Sequence, residues 1–164
     1  ANGTWADSGH VHAGLLASLL QEPFFSQAPP KSTGRDLFHG EWLERHLQAL
    51  EPLPAEDVQA TLLELTVQTV LQDLLRHQAQ TQQLLVCGGG ALNRRLMQRL
   101  AAALIEKRAP TQVVSSAELG LPPLQVEAAA FAWLAQQAMA GRPANLPVAT
   151  GAVGPRILGA IYPA

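Results

Sequence analysis

The sequence predicts an α/β fold, and three observations carry that prediction. A short apolar run, Leu84-Leu85-Val86-Cys87, stops abruptly at Gly88-Gly89-Gly90. Helical spacing then resumes at Leu92, Leu96, Met97, Leu100 and Leu104, and a second β-rich segment follows at Gln112-Val113-Val114-Ser115. Strand, glycine turn, helix and strand in that order form a βαβ unit with a right-handed crossover. Helical segments outnumber strands along the chain, so the expected architecture is helix-rich with a small mixed sheet.

Taken in order, the leucines at 15, 16, 19 and 20 keep helical spacing from Val11 to Leu20, and Pro23 marks the stop. The segment Pro29-Pro30-Lys31-Ser32-Thr33-Gly34-Arg35-Asp36 is a polar loop. After Pro52 and Pro54, a broad apolar stripe from Val58 to Leu75 has acids before it, Glu56 and Asp57, and Arg76 and His77 behind it, the charge order a helix dipole favours. The run at 84–87 is continuous rather than alternating, which predicts a buried strand. A last helix is expected from about Gln125 to Ala140, burying Val126, Ala129, Ala130, Trp133 and Leu134. The tail, Arg156 to Tyr162, reads as one more short strand.

The chain has 164 residues and is 48% hydrophobic, enough apolar material for a real core. Its 11 basic and 13 acidic residues are scattered, so no electrostatic footprint for a phosphate backbone exists and nucleic acid is not an expected partner. No apolar stretch reaches the roughly 18 residues of a membrane span, so no membrane partner is expected either. The single Cys87, placed in an apolar run, reads as a packing residue in a reducing compartment, and a cytoplasmic location is the expectation. Ala1 to Gly9 has neither an initiator methionine nor the basic and apolar regions of a signal peptide, and reads as the middle of a longer protein.

Gly88, Gly89 and Gly90 remove every Cβ from a turn between strand and helix, so a flat or anionic ligand can approach the backbone there. Neither G-x-G-x-x-G nor a P-loop is present, and a tight turn needed only for packing explains the glycines equally well. Asn93 can cap the following helix or contact a ribose. Lys31, Ser32, Thr33, Gly34 and Arg35 set two cations and two hydroxyls on one loop, suited to a carboxylate or phosphate or simply to solvent. Glu127 stands in an apolar helix start, either stabilising that terminus or pointing into a site. His10, His12, His39, His46 and His77 lack metal-ligand spacing and read as surface residues, and no metal site is expected.

Together, Pro29 to Phe38, Leu85 to Asn93, Val126 to Ala135, and the ending Asn145-Leu146-Pro147, Thr150-Gly151-Ala152 and Leu158 to Pro163 resemble the C-terminal portion of the anhydro-N-acetylmuramic acid kinase family. The resemblance implies an RNase-H-like half of an actin-like ATPase fold, with ATP and Mg2+ as cofactors and the catalytic aspartate in an N-terminal part outside the chain. It implies conversion of 1,6-anhydro-N-acetylmuramic acid to N-acetylmuramic acid 6-phosphate in peptidoglycan recycling. By the same resemblance Gly88, Gly89 and Gly90 contact adenosine, with Asn93 beside them, and Glu127 lies near the sugar. Lys31, Thr33, Gly34 and Arg35 shape the cleft or a domain contact, and a homodimer accords with the family's habit. Two other readings are a nucleotide-binding module of another kinase and a non-catalytic structural or dimerisation domain.

Overall fold

In the structure, a computed structural model describing residues 2–162, the long apolar stripe becomes the spine. The chain begins with α1 (Thr4–Asp7), α2 (Ala13–Leu19), α3 (Pro23–Ser26) and α4 (Gly40–Leu47), followed by the spine helix α5 (Ala55–His77). The βαβ unit is β1 (Gln83–Val86), a helical turn α6 (Gly88–Ala91), α7 (Arg94–Glu106) and β2 (Gln112–Ser115). Two 3-10 turns, Ser116–Leu119 and Pro123–Gln125, lead to α8 (Val126–Met139) and α9 (Pro147–Thr150).

Helix α5 serves two cores. On one side Leu63, Val67 and Leu71 meet Ala6 of α1 and Leu100, Ala103 and Leu104 of α7, with Leu84, Val86 and Val113 of the sheet packed against them. On the other side Leu65 joins Leu15, Leu16 and Leu19 of α2 and Trp42 of α4, with Phe25 and Phe38 at the margin. Leu15, Leu19, Val67 and Leu104 are fully enclosed, each worth about 1.5–3 kcal/mol of transfer free energy.

Periods of 3.6 and runs of apolar residues thus located α2, α5, α7, β1 and β2 to within a few residues. The short helices α1, α3 and α9 have too few turns to show a period, and the signals for them and for α4 are local: Pro23 and Pro147 at first-turn positions, and His39 as the cap of α4. The histidines are correspondingly not all surface residues. His12 Nδ1 accepts from Leu15 N–H at 3.0 Å and His39 Nδ1 from Trp42 N–H at 3.3 Å, so each caps a helix, and His46 lies 2.7 Å from the Ser18 hydroxyl.

Four further expectations are corrected. The sheet is not mixed: among the described residues it has two strands, β1 and β2, running parallel with Leu84 opposite Val113 and Val86 opposite Ser115. The tail makes no strand: at its start Asn145 Nδ2 donates to Gly154 O at 3.0 Å, Asn145 Oδ1 accepts from Arg156 N–H, and Arg156 O accepts from Ala144 N–H at 3.1 Å. Pro163, the last residue of the ending motif, lies outside the described residues. Strand β1 is half exposed rather than buried, with Leu85 at 48% and Cys87 exposed, because β2 is its one neighbour and helices cover one face. Helix α8 buries none of its residues: of the face expected at Val126, Ala129, Ala130, Trp133 and Leu134, Val126 and Leu134 are half-buried and the other three exposed.

Candidate functional site

Cys87 ends β1 in extended backbone, and the chain enters α6 through Gly88 at φ +66°, a left-handed conformation that favours glycine. A Cβ built on Gly88 or Gly89 would meet nothing within 4 Å. One on Gly90 would make ordinary contact with Leu96 Cδ2 at 3.7 Å. Close packing therefore does not explain the missing side chain at Gly89, whose backbone faces open space at the carboxyl end of β1, the end where parallel α/β sheets hold ligands.

Asn93 caps α7: its Oδ1 accepts from Leu96 N–H at 3.0 Å. The same side chain is the floor for α1. Gly3, at φ +80°, lies so close that an added Cβ would fall 2.1 Å from Asn93 Oδ1. Arg95 Nε pairs with Asp7 Oδ1 at 3.1 Å, and Arg95 N–H donates to Asn2 O at 3.5 Å. The result is a recess of about 470 Å3 whose walls are Gly89, Leu92 and Asn93 from the glycine turn, Gly3, Trp5 and Ala6 from the α1 region, and Gln59 from α5. Its size falls within the range of small-ligand sites.

The structure brings Gly89 and Asn93 into this recess and leaves the other candidates outside it. Glu127 is exposed in the first turn of α8, where the N-cap Gln125 makes no side-chain hydrogen bond and an acid favours the helix dipole. The 3-10 turn Pro123–Gln125 that precedes α8 packs on α6. Lys31 is not free to grip a ligand: Nζ pairs with Asp73 Oδ2 at 2.7 Å, donates to the carbonyls of Phe24 and Phe25 at 3.4 Å each, and sits 5.1 Å over the Phe24 ring. Thr33, Gly34 and Arg35 remain exposed, with Gly34 O accepting from Phe38 N–H in the turn.

Trp5, Gly3 and Gln59 are members of the recess that spacing arguments passed over. The signal available for the first two was Asn2-Gly3, a dipeptide that favours positive φ, and both residues adopt it, at 60° and 80°. Gln59 sits inside a helix stripe and carries no sequence mark of its position.

Comparison with known proteins bears on this geometry. The family model described as anhydro-N-acetylmuramic acid kinase matches residues 1–164. The chain belongs to that family. Among curated anhydro-N-acetylmuramic acid kinases, one from Ralstonia nicotianae is 54% identical over 164 residues, 99% of this chain and 42% of the relative. One from Xanthomonas campestris pv. campestris is 56% identical over 165 residues, 100% and 42% of the two chains. A third, from Pseudomonas syringae pv. tomato, is 53% identical over 163 residues, covering 99% and 44%. The chain thus spans less than half the length of these kinases, and the matches do not bear out the expectation that it is their C-terminal half. No helix among the described residues is long and apolar enough to cross a membrane.

Proposed function

We propose that this chain forms the nucleotide-side wall of a kinase that transfers the γ-phosphoryl group of ATP to 1,6-anhydro-N-acetylmuramic acid, giving N-acetylmuramic acid 6-phosphate in cell-wall recycling in the cytoplasm. The observation that carries the reading is the open backbone at Gly89 beside the capped start of α7, at the carboxyl end of a parallel strand. Family membership supports the substrate and the reaction type.

In this reading the recess accepts the nucleoside, Gly89 lets it lie against the backbone, and Asn93 holds the wall rigid by capping α7. An actin-like closure of two RNase-H-like halves on ATP belongs to the same reading. Glu127, exposed in the first turn of α8, takes the sugar side of the cleft. The aspartate base that activates water to open the anhydro bridge, while the freed O6 takes the phosphoryl group, comes from residues outside this chain. In this reading magnesium is held chiefly by the phosphates of ATP, with one or two carboxylates of the assembled cleft.

The test is made in the full-length kinase. Gly89→Val puts a branched side chain into the space the nucleotide needs while touching no protein atom within 4 Å at Cβ, so the KM for ATP should rise about tenfold with the melting temperature unchanged. Glu127→Ala in the same assay should lower turnover and spare the KM for ATP. Wild-type ATP kinetics in Gly89→Val would remove the nucleotide from this recess, and full activity in Glu127→Ala would return that carboxylate to helix stabilisation.

A further inference from the structure

Trp5 stands on the wall of the recess with 57% of its surface exposed. An indole is large and mostly apolar, and leaving it in water forgoes burial that the nearby core could have supplied. Its backbone is nevertheless held firmly. The Asp7–Arg95 pair at 3.1 Å ties α1 to α7, Gly3 is seated against Asn93, and Ala6, the neighbour of Trp5, is 5% exposed within the main core. The chain therefore anchors α1 and leaves its one aromatic ring uncovered.

Leu92, 50% exposed, lines the same recess, as does the bare backbone of Gly89. The amide side chains of Asn93 and Gln59 supply polar groups there. Two uncovered apolar surfaces, backbone without Cβ and amides together suit a flat ring with apolar faces and hydrogen-bonding edges. A heterocyclic base has that chemistry, with two apolar faces for the indole and the leucine and a polar edge for the amides.

We propose that Trp5 is a specificity-determining residue of the nucleotide site, the platform on which the base of the nucleotide stacks. The inference rests on the reading of this recess as the ATP seat and adds which side chain recognises the base.

The experiment compares Trp5→Ala, Trp5→Leu and Trp5→Phe in the full-length kinase, with Gly89→Val alongside. Stacking on an aromatic platform predicts that Trp5→Ala raises the KM for ATP about tenfold and leaves kcat within about twofold. Trp5→Phe, which restores a ring, should return the KM to within about threefold of wild type, and Trp5→Leu, apolar but not aromatic, should not. If Trp5→Ala leaves the KM unchanged while Gly89→Val raises it, the recess still holds ATP and the platform is overturned. If Phe fails to rescue, Trp5 acts by packing and the platform is again overturned. If neither Trp5→Ala nor Gly89→Val alters the KM, the nucleotide does not bind here and both readings fall together.

Discussion

Lys31 turns inward from a loop whose composition reads as solvent-facing. Its side chain is 11% exposed because Asp73, near the end of α5, draws the ammonium to 2.7 Å and the Phe24 and Phe25 carbonyls complete its shell. The other Asp73 oxygen, Oδ1, is buried without a hydrogen-bond partner, so the lysine is the main compensation for that carboxylate. Lys31→Ala should therefore destabilise the chain by about 2 kcal/mol, between the values for exposed and buried pairs, and lower the urea midpoint measurably. An unchanged midpoint would mean that the charge is solvated in solution. Residue identity alone could not decide this, since the partner lies 42 positions away along the sequence. The glycine turn was more legible: three consecutive glycines after an apolar run marked the site, although choosing between packing and ligand approach needed the distances around Gly89.

At the scale of elements, α5 and α7 are joined by a polar strut inside an otherwise apolar contact. Glu64 is 6% exposed and receives Arg99 in a two-point fork, Nε to Oε2 at 2.9 Å and Nη2 to Oε1 at 3.1 Å, while Gln68 Nε2 donates to Oε1 at 3.1 Å. Arg99 also reaches Glu106 at 3.3 Å. Removing the cation leaves a carboxylate buried between two helices, so Arg99→Ala should cost about 3 kcal/mol, read from chemical unfolding. Arg99→Ala paired with Glu64→Leu should recover most of the loss, because the orphaned charge is then gone. Should the single variant unfold at the wild-type denaturant concentration, the strut contributes nothing to stability. The apolar stripe of α5 was visible in its spacing, but Glu64 within that stripe was not distinguishable from a surface acid, because its partner is supplied by another helix.

At the scale of the molecule, the second half of the chain is apolar without being covered. Phe131, Trp133 and Met139 of α8 are 64%, 50% and 74% exposed, and an apolar groove of about 480 Å3 runs between α8 and residues 158–161 of the tail. Contiguous exposed apolar surface of this kind drives association. The 164-residue chain alone should therefore scatter light as species heavier than its 17.5 kDa monomer as concentration rises, and Phe131→Glu should restore the monomer. A constant monomer mass for the unmodified chain would show that the face covers itself in solution.

Periodicity and local chemistry encode the α/β class, the α5 and α7 helices, the βαβ order, the glycine turn and, through the motifs, the kinase family. Which faces have partners is set by packing. A helix as apolar as α8 reads as buried, and a run such as Leu84 to Cys87 reads as a covered strand, because pattern reports the tendency to leave water and not the presence of a neighbour. The pairing of Lys31 with Asp73, of Arg99 with Glu64, and of Trp5 with the glycine turn likewise arose from segments far apart in sequence that packing around α5 brings together.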